Sequence, residues 1–342
     1  MALASAVLFG ASTPFAKVLL GTTDPWMLAG LLYLGPGIGL FIVRIVRRAS
    51  STDQGEVLQR GKDRPWLGGA VLAGGVIGPL LLMAGLALTP ASTASLLLAL
   101  EGVFTALLAW LVFREHFHWR IRLGMVVISM RAFSLAWTGS ITLAGLAGPL
   151  LIAGACLAWA IDNNPTWKVS LSDPVQIAMI NGLAAGSTNL VLSVANGASL
   201  PTVTTTVLAA FDGFIGYGIS LVLFVVALRH IGTARTGAYF STAPFVGAAI
   251  AILALGEPIT AQIVGAAVLI EIGIWLHLTE EPGREHRHKP LAHTHWHRHD
   301  VHHQHEHGSR DPPGEPHTHW HVHKPIQHSH PHYPDAHHQH SH

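Results

Sequence analysis

Cysteine is all but missing from this chain. One residue, Cys156, stands among 342, so no intrachain disulfide can form and no CxxC pair offers a metal or redox site. It lies in an apolar run and reads as a small packing residue. Charge is scarce as well: 11% of residues are Asp, Glu, Lys or Arg, where soluble domains carry about 25%. No HExxH pair, Ser/His/Asp set or phosphate loop is visible. Before the C-terminal tail the histidines are His116, His118, His230 and His277, all near the ends of apolar runs. These absences argue against an enzyme. The first run, Met1 to Leu20, has no basic n-region and carries Lys17, so it reads as a spanning helix and not as a secretory signal. The net charge of +1 points to no class of partner, and no nucleic acid is expected.

What is present is apolar surface, 50% of all residues. Residues 1 to 282 form nearly continuous hydrophobic runs of about 20 residues, the length that crosses a ~30 Å hydrocarbon core as helix. A soluble protein could not hide so much. Gly, Pro and Asp turns separate ten expected spans: 1–20, 26–46, 66–88, 92–113, 119–137, 145–163, 174–195, 204–227, 234–255 and 260–278. Their many Gly, Ala, Ser and Thr residues allow close helix approach in lipid.

Basic residues are distributed on one side. Arg47, Arg48, Arg60, Lys62 and Arg64 follow the second span; Arg114, Arg120 and Arg122 surround the gap after the fourth. Lys168 follows the sixth, and Arg229 and Arg235 border the eighth and ninth. The alternate connections, 21–25, 89–91, 138–144, 196–203 and 256–259, hold no Lys or Arg. The positive-inside rule makes the basic side cytoplasmic, and both termini with it. The expected location is a plasma (inner) membrane, crossed many times.

An internal repeat is legible. FGASTPFAKVLLGTTDP (9–25) resembles AIDNNPTWKVSLSDP (160–174), and the stretch 90–117 parallels 232–259, with Glu115 opposite Glu257. Each copy holds five spans, and an odd number inverts the second copy. Inverted repeats build secondary transporters whose site lies between the halves near the midplane. The segments LEGVFTALLAWLVFRE and STAPFVGAAIAILALGE resemble the signature of the EamA domain of the drug/metabolite transporter superfamily, and FGASTPFAK and IDNNPTWKVSLSDP resemble the first helix of its repeats. The resemblance covers about residues 1 to 278. It implies two five-helix halves that move small metabolites or ions without ATP. Gly102 stands where the first repeat usually has proline, while the second keeps Pro244; Arg114 replaces a glycine before Glu115, and Arg131 sits where glycine is usual.

The expected fold is thus an all-α integral membrane protein with ten transmembrane helices in two inverted five-helix repeats, residues 1–137 and 138–282, followed by a disordered His-rich tail, residues 283–342. Ionisable groups within spans cost a few kcal/mol each and are functional candidates. They are Glu101, Asp162, Asp212 and Glu271, whose four carboxylates could line a cation pathway, with Lys17 and Arg131; pairing of Glu101 with Arg131 is the plainer alternative. Asp162-Asn163-Asn164-Pro165 reads as a polar break in the sixth helix, mirrored by Ser12-Thr13-Pro14 in the first. Asn181 and Asn189 are read as inter-helix hydrogen-bond formers, and Glu115 and Glu257 as packing or capping groups.

The tail carries 21 of the 25 histidines, among Pro, Asp, Glu and Gln that build no core. His293, His295, His297 and His299 alternate with other residues; His302, His303, His305 and His307 follow, and His317, His319, His321 and His323 repeat the pattern. Alternate residues of an extended chain share a side, so neighbouring imidazoles suit zinc, nickel, copper or cobalt. No cofactor is required, but the tail is expected to bind such ions. Three functions stay open: a metal-linked secondary transporter, an exporter in the first instance; a transporter of an organic metabolite with the tail as metal-responsive regulator; and a membrane-anchored metal store or sensor. The expected partners are the bilayer and a small-molecule or metal-ion substrate, with a homodimer allowed.

Overall fold

The computed structural model describes residues 1–49, 68–69, 71–111, 119–136, 143–169, 174–278, 283–287, 291–297, 317–323 and 327–331. The chain divides into two units, Met1–Glu280 and Glu281–His342.

Among its described residues the first unit is built of helices joined by turns and short extended links. Its elements are α1 (Ala2–Leu19), α2 (Pro25–Ala49), a π-helical turn (Val71–Ile77) leading into α3 (Gly78–Leu88), α4 (Ala91–Leu97), α5 (Leu100–Leu111), α6 (Trp119–Ala136), α7 (Leu143–Val169), α8 (Pro174–Ala195), α9 (Val203–Gly213), a second π turn (Phe214–Ile219), α10 (Ser220–Phe240), α11 (Ala243–Leu255) and α12 (Ala261–Leu278). Seven stretches among the described residues are long and apolar enough to cross a membrane, with two shorter apolar helices, Ala243–Leu255 and Ala261–Leu276. Helix α6 has the length, but Arg120, Arg122 and Arg131 lower its hydropathy.

Local chemistry sets several boundaries. Asp24 caps α2, its Oδ1 accepting from the amides of Trp26 at 2.9 Å and Met27 at 3.0 Å, and Pro25 follows where the missing N–H costs nothing. Helix α11 ends at Gly256, whose φ of +68° is the left-handed conformation glycine adopts freely.

Packing relies on small residues. Helix α2 lies along α8 so closely that a Cβ on Gly182 would come within 2.6 Å of the Gly37 amide nitrogen. Across α1 and α10, the Ser5 hydroxyl donates to the Ser220 carbonyl at 2.7 Å and the Ser220 hydroxyl donates back at 2.9 Å. Such bonds contribute about 0.6 to 2 kcal/mol each in a bilayer. The pairings exchange between the halves: α1 packs on α11 and α10, and α7 on α5 and α3.

Three expectations about helix continuity are corrected. The span expected at 92–113 is interrupted after Leu97, where Ala99 N bonds to Leu96 O and Glu101 N to Leu98 O, tight i→i+3 links in place of the α pattern. The turn expected between 227 and 234 is absent, because α10 runs on to Phe240; the interruption comes at Ser241-Thr242. Pro244 explains it, lacking the N–H that would bond to Phe240 and crowding that carbonyl. The expected break at Asp162–Pro165 is also absent, since α7 continues to Val169 and α1 runs through Pro14. Membrane helices tolerate proline where neighbours satisfy the freed groups. The two real interruptions fall at corresponding places of the aligned stretches 90–117 and 232–259.

The second unit holds the described residues of the tail. Four short strands form two antiparallel pairs: β1 (Gly283–Arg287) with β4 (Gln327–Pro331), and β2 (Leu291–His297) with β3 (His317–His323). Alternation of His with Thr, Trp, Val and Ala has the period of two that a strand requires, and several of these residues favour strands. Of the expected metal ligands, His299, His302, His303, His305 and His307 lie outside the described residues.

Candidate functional site

The first π turn is the hub of the candidate site. Its wider winding frees carbonyls, and side chains from three helices take them. The Gly74 carbonyl accepts from the Tyr33 hydroxyl at 3.0 Å and from the Trp159 indole at 2.9 Å; the Gly75 carbonyl accepts from Asn189 Nδ2 at 3.1 Å. Asn189 is thus the inter-helix hydrogen-bond former expected of it. Asp162 lies against the Cα of Gly74, where an added Cβ would meet the Asp162 Cβ at 2.8 Å. The glycine makes room for the carboxylate.

Beside this hub, α5 begins just past the first interruption and carries Glu101 in its first turn. Asn163 Nδ2 of α7 donates to Glu101 Oε1 at 2.8 Å. Asp162 is within electrostatic reach of both Glu101 and Tyr33. Three of the expected residues, Glu101, Asp162 and Asn163, therefore meet, although 61 positions separate the first two along the chain.

Adjoining them is an aromatic cluster drawn from both halves. Phe9 of α1 lies 5.7 Å from Tyr217 of the second π turn, 5.3 Å from Phe240 of α10 and 6.5 Å from Trp159 of α7, centroid to centroid. Tyr33 and Tyr217 are 5.5 Å apart, and Phe224 and Phe240 4.8 Å. Several of these contacts are edge-to-face, the geometry that ring quadrupoles favour.

The remaining expected residues are distributed elsewhere. Asp212, at the end of α9, is half-buried; its Oδ2 finds no hydrogen-bond partner among the described residues, and Tyr217 lies within its electrostatic reach. Glu271 on α12 is exposed on the outer surface of the unit. Lys17 does not join the carboxylates: its Nζ donates to Leu86 O at 2.6 Å and Ala87 O at 3.3 Å, capping the end of α3. Past the adjacent Thr89-Pro90 turn, Glu257 accepts from Ala91 N at 2.7 Å, from Ser92 N at 2.9 Å and from the Ser92 hydroxyl. Glu257 is a cap, as expected. Arg131 and Asn164 lie on α6 and α7, but their side chains are outside the described residues, as is Glu115 altogether. No group of three His, Cys, Asp or Glu able to hold a metal ion occurs among the described residues.

Sequence reasoning missed Phe9, Tyr33, Trp159 and Tyr217. A signal was present, since the chain has four tyrosines and three stand within expected spans, where each hydroxyl needs a partner. A cleft of about 250 Å³ lined by Phe41, Arg44, Ile45, Gln176 and Met179 lies further along α2, about three turns beyond Tyr33 at Arg44, and belongs to neither cluster.

The model of the EamA-like transporter family matches residues 1–135 and 146–279. The chain belongs to the EamA-like transporter family. The two matched stretches correspond to the halves whose interruptions and π turns align, so the chain is a multi-pass membrane protein of transporter type. An uncharacterized transporter of Methanothermobacter thermautotrophicus (strain Delta H) is 26% identical over 284 residues, covering 79% of this chain and 82% of that protein. A solved crystal structure superposes with a TM-score of 0.62 at 15% identity, covering 81% of this chain and 97% of the other; that likeness concerns the fold. In this EamA-like chain the hub, the carboxylates and the aromatic cluster occupy the region where the interrupted helices of both halves meet.

Proposed function

We propose that this EamA-like chain is a secondary transporter, working without ATP, that carries a small organic solute bearing a cationic group. The observation that supports this reading is the meeting of Glu101, Asp162 and Asn163 with an aromatic cluster beside interrupted helices. Carboxylates in a low-dielectric interior favour a positive charge, and ring faces attract organic cations strongly when water is excluded. Interrupted helices at matching positions of two repeats are where transporters place their solute.

The same reading takes the chain to cross a plasma membrane ten times as two inverted five-helix repeats, with both termini cytoplasmic. The exchange of helix pairings between halves, the paired interruptions and the one-sided basic residues support it. Saturable uptake of a radiolabelled small aromatic amine into proteoliposomes, lost in Glu101→Gln, is the expected result. Amine flux equal to empty liposomes across a panel of such solutes would remove the proposal.

A second reading, export of a transition-metal ion, is favoured by the 21 histidines of the tail, which would concentrate ions at one face through many linked sites. Zinc, nickel or cobalt flux in the same vesicles, with no organic flux, would replace the first reading by the second.

A further inference from the structure

We propose that the cleft between α2 and α8 binds the phosphate headgroup of an anionic phospholipid, with Arg44 as its anchor. The claim stands whichever solute the helical unit carries. Phe41, Arg44 and Ile45 of α2 line the cleft, together with Gln176 and Met179 of α8. Its volume is about 250 Å³, below the roughly 300–1,000 Å³ of sites that enclose a whole drug-sized ligand. A headgroup fits there, with its acyl chains left outside.

Charge is the first argument. Nη1 of the Arg44 guanidinium is buried, yet it has no hydrogen-bond partner among the described residues. Leaving a buried charged donor unpaired is costly, so the cleft is short of an acceptor. The guanidinium fork matches two oxygens of a phosphate, and such charge-assisted bonds are roughly twice as strong as neutral ones. Among the described residues that line the cleft, Arg44 carries the only charge. Helix α8 begins at Pro174, which puts Gln176 in its first turn, where the positive end of the helix dipole favours an anion. The Gln176 side-chain amide offers further donors.

Position is the second argument, and it selects a lipid over a free anion. Arg44 stands where the apolar part of α2 gives way to Arg47 and Arg48, the level at which a spanning helix meets the headgroups. Phe41 and Ile45 are exposed, as are Ile42 and Val46 beside them. On a spanning helix these side chains meet acyl chains, which are as apolar as leucine. A free phosphate would use Arg44 and leave Phe41 and Ile45 idle. A phospholipid uses both. Basic pockets between membrane helices hold anionic headgroups in this way.

The test separates the cleft from a general attraction to basic residues. The full-length protein in a neutral detergent is titrated with phosphatidylglycerol and with phosphatidylcholine, at about 0.15 M salt, where exposed charges are largely screened. Bound lipid is counted by native mass spectrometry. Phosphatidylglycerol should bind more tightly, and Arg44→Gln should weaken it about tenfold while phosphatidylcholine binding stays unchanged. Arg60→Gln removes the same charge from the connection after α2 and should change little. Phe41→Ala should also weaken phosphatidylglycerol, and millimolar inorganic phosphate should not displace it. Equal losses in Arg44→Gln and Arg60→Gln would show attraction to the basic side as a whole and overturn the proposal. Equal binding of the two lipids, the result of an Arg44 neutralised by a loop carboxylate such as Asp173, would also overturn it. Displacement by inorganic phosphate, with Phe41→Ala without effect, would assign the cleft to a free anion and remove the lipid.

Discussion

The side of the bundle centre built by α5 and α7 differs from the side built by α1 and α11, although the aligned stretches make them counterparts. Alignment places Ala243 where the first half has Glu101, and Ala11 and Ser12 where the second half has Asp162 and Asn163. The charged side joins Glu101 to Asn163 at 2.8 Å. On the other side the Ser12 hydroxyl is turned back to its own helix, donating to Phe9 O at 2.9 Å, and Phe9 gathers the rings around it. The backbone device is duplicated while the chemistry is not. A solute held here would be gripped off the axis between the halves, with its charge toward α5 and α7 and its apolar part toward α1.

That contrast can be broken by substitution. The largest effect is expected from Glu101→Ala, which removes the charge and strands Asn163; a charged hydrogen bond contributes about 1.5–3 kcal/mol, so kcat/KM for uptake should fall by ~10- to 100-fold. The comparison fails if Ser12→Ala, on the counterpart side, costs as much. Next comes Gly182→Ala, where the new methyl meets the backbone of Gly37 and Tyr33 and cannot be accommodated by a rotamer change. A loss of about 1–3 kcal/mol should appear as a lower melting temperature in detergent, while Gly68→Ala, with open space around it, should leave it unchanged. Asn163→Ala follows, with an uptake loss of about tenfold. The smallest effect is expected from deleting 283–342: the helical unit has its own core, so basal transport should stay within about twofold, and any response to zinc or nickel should vanish. Loss of all flux on that deletion would assign the tail a part in transport itself.

Sequence periodicity made the helices legible, and the aligned Pro and Glu residues marked the two stretches where interruptions occur. Their exact location was not legible. Asp162–Pro165 looks like a break because polar residues precede a proline, yet that stretch stays helical. The interruption at Leu98 carries no residue that forbids helix. A π turn likewise has no residue signature, so the Gly74 carbonyl could not be foreseen as the partner of Tyr33 and Trp159. Depth within a span, which nominated both Glu101 and Glu271, says nothing about which way a residue faces; Glu271 turned out to be exposed. The pairing of His with His across β2 and β3 was implicit in the duplicated HTHWH, but a list of alternating histidines does not by itself reveal the hairpin.

The lone cysteine occupies an informative place. Cys156 is buried against the interruption between α4 and α5, its Sγ 3.7 Å from Leu97 O and 3.9 Å from Leu98 O. A maleimide can reach that sulfur only when the interruption parts from α7, because a buried thiol is otherwise inert. The chain therefore carries a native chemical clock: the alkylation rate of the unaltered protein counts how often this joint opens. A solute that holds it shut should slow labelling with no engineered residue, and the signal comes from one thiol alone.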